Sequence, residues 1–277
     1  DVSQAEARLA GATAERIKSE GDIQISRATY VNVIGEVPGK LKPPKPLLDL
    51  PKTLDEAKEL AITTHPDVVA SQLSVKSAQE SIKSKKGELY PTLNVVGTFK
   101  RDWESISNKS AVTTGEVKFD LTVPIYQKGV VLSGLRSAKV EAGKTKLDLE
   151  EIRRTVSANV ASAWESLKAA QARIKSFQAQ SKAADIALEG VKREASVGSR
   201  TVLDVLDAEQ ELLDARVSLV GAKRDEVVAS FQLMEATGQL TAKNLGLPVE
   251  LFDPTFYYKK VRNKLFGIGL PDTGTVN

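Results

Sequence analysis

The 277-residue sequence has no cysteine, a single histidine and a single methionine. Without cysteine there can be no disulfide and no thiolate metal site, which suits an oxidising compartment. There is no P-loop, no Gly-rich nucleotide fingerprint, no histidine-containing triad and no metal-ligand cluster. Nothing asks for a catalytic residue, a cofactor or a bound metal. No apolar run approaches the ~18–20 residues of a transmembrane helix, so any meeting with a membrane must use β-strands or a partner. Charges nearly balance at +3. The basic excess is dispersed along the chain and not interleaved with aromatics, so nucleic acid is not an expected partner.

Proline is also absent from Gly129 to Ala195, and a long pattern fills that stretch. Apolar or small residues recur at Val131, Leu135, Ala138 and Ala142 and continue to Leu188 and Val191. Their 4, 3, 4, 3 spacing is a heptad a/d seam with a few polar interruptions such as Asn159. At ~1.5 Å per residue such a helix reaches roughly 100 Å, about three times a bilayer core. A shorter seam, Val2, Ala5, Leu9, Ala12 and onward to Val33, predicts a helix over 1–35 that ends at Gly35. The chain lacks an initiator Met and opens inside this pattern, which suggests that its natural N-terminus is missing.

Residues 36–53 are a Pro-rich connector. Pro43, Pro44 and Pro46 forbid helix and favour an extended path, either a flexible linker or a strap held by Leu47, Leu48 and Leu50. Thr53 and Glu56 form a capping box for the next helix. A break follows at Thr64-His65, and Pro66 suits the first turn of a new helix, so 54–90 reads as one broken helical segment. His65 reads as a helix-boundary residue rather than a base. Over 91–127 the period changes to two. Leu93, Val95, Gly97 and Phe99 alternate with Asn94, Val96, Thr98 and Lys100. After a polar loop through Asn108 and Gly115, Val117, Phe119, Leu121 and Val123 alternate with Glu116, Lys118, Asp120 and Thr122. Two strands of roughly 8–10 residues with one apolar and one charged face form a hairpin. It packs on a helix or belongs to a transmembrane barrel. Trp103, Tyr90 and Tyr126 flank it, as interfacial aromatics or ordinary packing residues.

The span 128–238 then reads as a long helical hairpin broken at Ser196-Val197-Gly198-Ser199-Arg200, its second helix running from Val202 to Thr237 and stopping at Gly238. The tail, 239–277, fades into a partly disordered terminus. The first and last helices also match at an offset of 203 residues: Val2 with Val205, Glu6 with Glu209, Leu9 with Leu212, Asp22 with Asp225, Gly35 with Gly238. This is an internal repeat, with the second copy whole and only the last helix of the first present. The fold class expected is mainly α with a small β part.

Leu121-Thr-Val-Pro-Ile-Tyr-Gln-Lys-Gly129 and Ser196-Val-Gly-Ser-Arg-Thr-Val-Leu-Asp-Val-Leu-Asp-Ala208, with the repeat, resemble the TolC-like outer-membrane efflux family from Asp1 to about Gly238. The resemblance implies homotrimers whose protomers share a twelve-stranded barrel in outer-membrane lipid. Their helices continue as a tunnel through the periplasm of a Gram-negative cell. A periplasmic adaptor and an inner-membrane RND or ABC transporter dock at the far end for drug efflux or type I secretion. It implies that 93–123 lies in the membrane, with Leu93, Val95, Phe99, Val117, Phe119, Leu121 and Val123 toward lipid. Asp204 and Asp207 match acidic rings at the periplasmic constriction. Arg200 and Asp1 match its closing bonds, and Gly198 and Ser199 form the adaptor-docking tip.

Three-fold symmetry would set both acids repeatedly around one narrow hole, where close carboxylates attract cations and multivalent metals. On spacing alone, these acids better suit a helix N-terminus with an i,i+4 Arg200–Asp204 pair, and Gly198 a tight turn. The chain departs from the family at Ala195, where an aromatic hydroxyl would bond the residue matching Asp1. A non-pore coiled-coil scaffold of the cell envelope is the alternative function.

Overall fold

A computed structural model describes residues 2–42, 44, 50–103, 111–264 and 275–276. It is mostly helical, with one antiparallel hairpin and a short strand pair. Two bodies can be described separately, one of residues 57–159 with 237–239, the other of 1–56, 160–236 and 240–277.

The first body begins within α1, Leu54–Thr64. The capping box forms in part: Glu56 N–H donates to Thr53 Oγ1 at 3.2 Å, while the Glu56 carboxylate reaches one residue further back, to Lys52 N–H at 2.9 Å. His65 then caps α2, Pro66–Gly87; its Nδ1 accepts from Asp67 N–H, and Pro66 fills the first helical position. The lone histidine therefore sits at a helix boundary. Thr237–Gln239 lies against this corner. Thr64 Oγ1 donates to the Thr237 carbonyl at 2.9 Å, and Gly238 takes φ +73° where a Cβ would sit 2.6 Å from His65 Cα. Ala57, Ala61, Val68 and Val75 form the core with Ala142, Leu149 and Val156 of α3, which spans Val130–Ser196.

In the second body the rest of α3 packs antiparallel on α4, Val202–Ala236. Ala184 and Leu188 are buried against Leu212 and Ala215, with Val205 and Ala208 at the edge. Lys192–Glu209, Asp185–Arg216 and Arg173–Asp225 cross the same seam, each step down one helix matched by a step up the other. These exposed ion pairs fix register more than stability. The helix over Val2–Ile34, α5, buries none of its residues in the single chain, so its apolar seam stays open. Gly35 and Gly238 both take positive φ, consistent with their matched places in the repeat.

Three sequence expectations shift. The α3 seam moves from Asn159 to Val160, which is fully buried, because a straight helix drifts ~20° per heptad against a 3.5-residue repeat. The hairpin loop does not reach Gly115, which lies inside a strand. The tail contains a short helix, α6, Pro254–Val261, that hydrophobic periodicity did not reveal. Asp253 caps it by accepting from Thr255 N–H and Oγ1, and those bonds hold its carboxyl below the usual range. The choice between linker and strap for the Pro-rich connector lies largely outside the described residues.

Candidate gate and membrane hairpin

The two strands are β1, Thr92–Trp103, and β2, Ala111–Thr122. Their register aligns like with like. Leu93 opposes Leu121, Val95 opposes Phe119 and Gly97 opposes Val117, while Asn94 opposes Asp120 and Thr98 opposes Glu116. Residues directly opposite share a face. One face is therefore apolar from Leu93 to Phe99 and from Val117 to Leu121, with Arg101 and Thr113 on it nearer the loop, and the other carries Lys118–Asp120 and Lys100–Asp102 ion pairs. Among the described residues no helix covers the apolar face: Phe99 is 79% exposed and Phe119 69%. A two-stranded ribbon with such a face is marginal in water.

The dimensions suit a membrane. From Leu93 to Trp103 the strand rises about 33 Å, and at the ~40° tilt of barrel strands that covers ~25 Å of thickness, the height of an apolar band. Trp103 closes the band at the loop end, with the Arg101 guanidinium 4.2 Å from its ring centroid. Tyr90 and Tyr126 lie exposed at the other end.

At the far end of α3, the turn to α4 follows from three local rules. Gly198 takes φ +79° and closes a Schellman motif: its N–H donates to the Ala195 carbonyl, and Ser199 N–H to that of Glu194. Thr201 then caps α4. Its hydroxyl accepts from Asp204 N–H, and its own N–H and Oγ1 donate to Asp204 Oδ2 at 2.8 and 2.9 Å. Those bonds, the backbone one first, hold the Asp204 carboxyl below its ordinary range.

Arg200 does not pair with Asp204. Its Nε donates to Glu194 Oε2 at 2.8 Å across the turn, a bond that raises its pKa. Asp207, one turn beyond Asp204, pairs instead with Arg8 of α5. The turn thus joins Arg200 to Glu194, Asp204 to Thr201 and Asp207 to Arg8. Asp1 lies outside the described residues.

Glu194 and Arg8 escaped the sequence reading. The first sits six residues from its partner through a glycine turn, which no helical spacing predicts. The second belongs to a separate helix. Among the described residues, no group of three His, Cys, Asp or Glu could hold a metal.

A long helical hairpin with a capped acidic tip and a two-faced strand pair is the architecture of the outer-membrane efflux family. Residues 58–239 match the family described as outer membrane efflux protein. The chain belongs to this family, one of transport proteins, and is an outer-membrane protein that reaches into the periplasm.

It is 34% identical to outer membrane efflux protein BepC of Brucella suis over 98% of this chain and 60% of that one. It is 26% identical to outer membrane protein TolC of Vibrio cholerae, over 90% and 60%. It therefore spans about 60% of the length of these relatives. The open state of the Neisseria gonorrhoeae MtrE outer membrane channel has the same fold, at TM-score 0.72 and 21% identity, covering 87% of this chain and 56% of that one.

Proposed function

We propose that this chain forms part of a homotrimeric exit duct that passively carries drugs or proteins from the periplasm to the exterior. Residues 91–127 give the barrel its strands, and 1–35 and 128–238 line the tunnel. The observation that carries the reading is the hairpin register, which gathers apolar side chains on one face and charged ones on the other. A coiled-coil scaffold has no use for that division. The open seam of α5 suits burial against other copies of the chain. The names of BepC and TolC accord with such a duct.

In this reading the tip is the periplasmic gate. Arg200–Glu194 and Arg8–Asp207 hold neighbouring segments of the closed state, compensating for the bond that Ala195 cannot make. Asp204 and Asp207 line the constriction as a cation filter. Gly198 and Ser199 present the turn to a periplasmic adaptor, which links the duct to an RND or ABC transporter.

Conductance of the full-length protein in planar bilayers tests the gate. Arg200→Ser raises conductance; no change removes Arg200 from the closing network. Asp204→Ala with Asp207→Ala abolishes block by trivalent cations; undiminished block moves the filter elsewhere.

A further inference from the structure

The basic residues that look dispersed in sequence are brought together by the fold. The hairpin's open end continues into the C-terminus of α2 on one side and the N-terminus of α3 on the other. Between Lys83 and Pro91, and between Pro124 and Lys139, lie six cations against Glu88 alone, a local charge of +5 in a chain whose total is +3. The two helix ends touch: a methyl group on Gly134 would lie 3.9 Å from Lys85 Cδ. Lys83 and Lys85 pair with Glu80 and Glu88. Lys86, Lys128, Arg136 and Lys139 are exposed and have no acidic partner among the described residues.

Apolar and aromatic side chains stand among these cations. Tyr90, Ile125, Tyr126 and Val130 are each more than half exposed. A shallow groove open to solvent lies beside them, lined by Lys128, Val130, Ser133 and Ser137 among others. Tyrosine, exposed aliphatics and unpaired lysine at the edge of an apolar band form the composition of a membrane interface. Lys85 and Lys86 lie in the last turn of α2, seven and six residues before β1 begins at Thr92.

We propose that this periplasmic rim binds anionic phospholipid of the membrane's inner leaflet, the phosphate of phosphatidylglycerol meeting Lys86 and Lys128 while its chains lie on the apolar face of the hairpin. The inference rests on the hairpin crossing the outer membrane. Charge complementarity favours an anionic headgroup over a zwitterionic one, and continuity with the apolar face favours a lipid over free phosphate. The four exposed cations leave this rim with a positive surface that the described chain does not itself neutralise.

The test reconstitutes the full-length protein into phosphatidylethanolamine vesicles with a minor fraction of phosphatidylglycerol, then counts retained lipids by native mass spectrometry. Wild type is expected to enrich phosphatidylglycerol. Lys86→Gln with Lys128→Gln should lower that enrichment roughly 30-fold, from the usual strength of a lysine near an anionic surface. Lys144→Gln with Lys146→Gln, further along α3 and the same change in net charge, should leave it intact.

Equal retention of both lipids by wild type, an unchanged preference in the Lys86/Lys128 variant, an equal loss in the Lys144/Lys146 variant, or displacement by excess inorganic phosphate overturns the proposal. Protease protection of the hairpin separates the two levels. A protein that inserts without a lipid preference removes the lipid site alone. One that does not insert removes the membrane reading beneath it.

Discussion

Replacing Gly238 by alanine puts a methyl group where the backbone of another segment already stands. The new Cβ would lie 2.6 Å from His65 Cα, 3.0 Å from His65 N and 3.1 Å from Pro66 Cδ. Two of these atoms are main chain and the third is a proline ring, so no flexible side chain can swing away. Overpacking of this kind costs about 1–3 kcal/mol. The φ of +73° adds about 1–2 kcal/mol for any residue with a Cβ.

Gly35 supplies the control. It occupies the matching place in the repeat at φ +87°, with nothing within 4 Å of its would-be Cβ. Gly35→Ala therefore carries only the conformational cost, about 1–2 kcal/mol. Gly238→Ala carries both, about 2–5 kcal/mol. Urea unfolding of the two variants, followed by circular dichroism at one protein and detergent concentration, measures the difference. Equal losses would refute the close packing of Thr237–Gln239 on the α1–α2 corner.

Two further outcomes follow from the helical hairpin. Leu188→Ala opens a cavity in the Ala184–Leu212–Ala215 cluster and should cost about 2–5 kcal/mol in the same unfolding experiment. Leu213→Ala, at an exposed position one residue from Leu212, should stay within about 0.5 kcal/mol. Thr201→Ala removes the cap of α4 and should cost about 1 kcal/mol. Because the folded-state pKa of Asp204 is depressed, its contribution is present above the ordinary carboxylate range and is lost as pH falls through the lowered value. NMR titration of the Asp204 carboxyl should find it below the usual aspartate value, and nearer to but still below it once Thr201 is alanine, because the backbone N–H of residue 201 goes on donating to the carboxylate.

The features most legible in the sequence were those set by local rules. Pro66 and Gly35 mark helix boundaries through backbone constraints that act within a few residues. Thr53 with Glu56 forms its cap for the same reason. The alternation from Leu93 to Lys100 foretold faces that the strand pairing then aligned, because side chains in a strand can only alternate.

What stayed hidden depends on contacts between segments distant in sequence. Nothing in the spacing of Arg8 points to Asp207. The i,i+4 rule offered Arg200 to Asp204, but Arg200 lies before α4 begins and meets Glu194 across the Gly198 turn. Gly238 read as a helix stop, which it is, yet the crowding that forbids a side chain there comes from His65. The cations at the hairpin's open end seemed scattered because the strands separate them along the chain.

The central claim is that the hairpin crosses a membrane with one face to lipid and one to a water-filled lumen. These 277 residues contain no cysteine, so each one introduced is the single thiol among them. Leu93, Asn94, Val95, Thr98, Glu116, Phe119, Asp120 and Leu121 are each replaced by cysteine in the full-length protein and treated in outer membranes with a charged, water-soluble maleimide. The account predicts labelling with a period of two, strong at Asn94, Thr98, Glu116 and Asp120 and weak at Leu93, Val95, Phe119 and Leu121. Uniform labelling of both faces, or protection of the charged face with labelling of the apolar one, would contradict it.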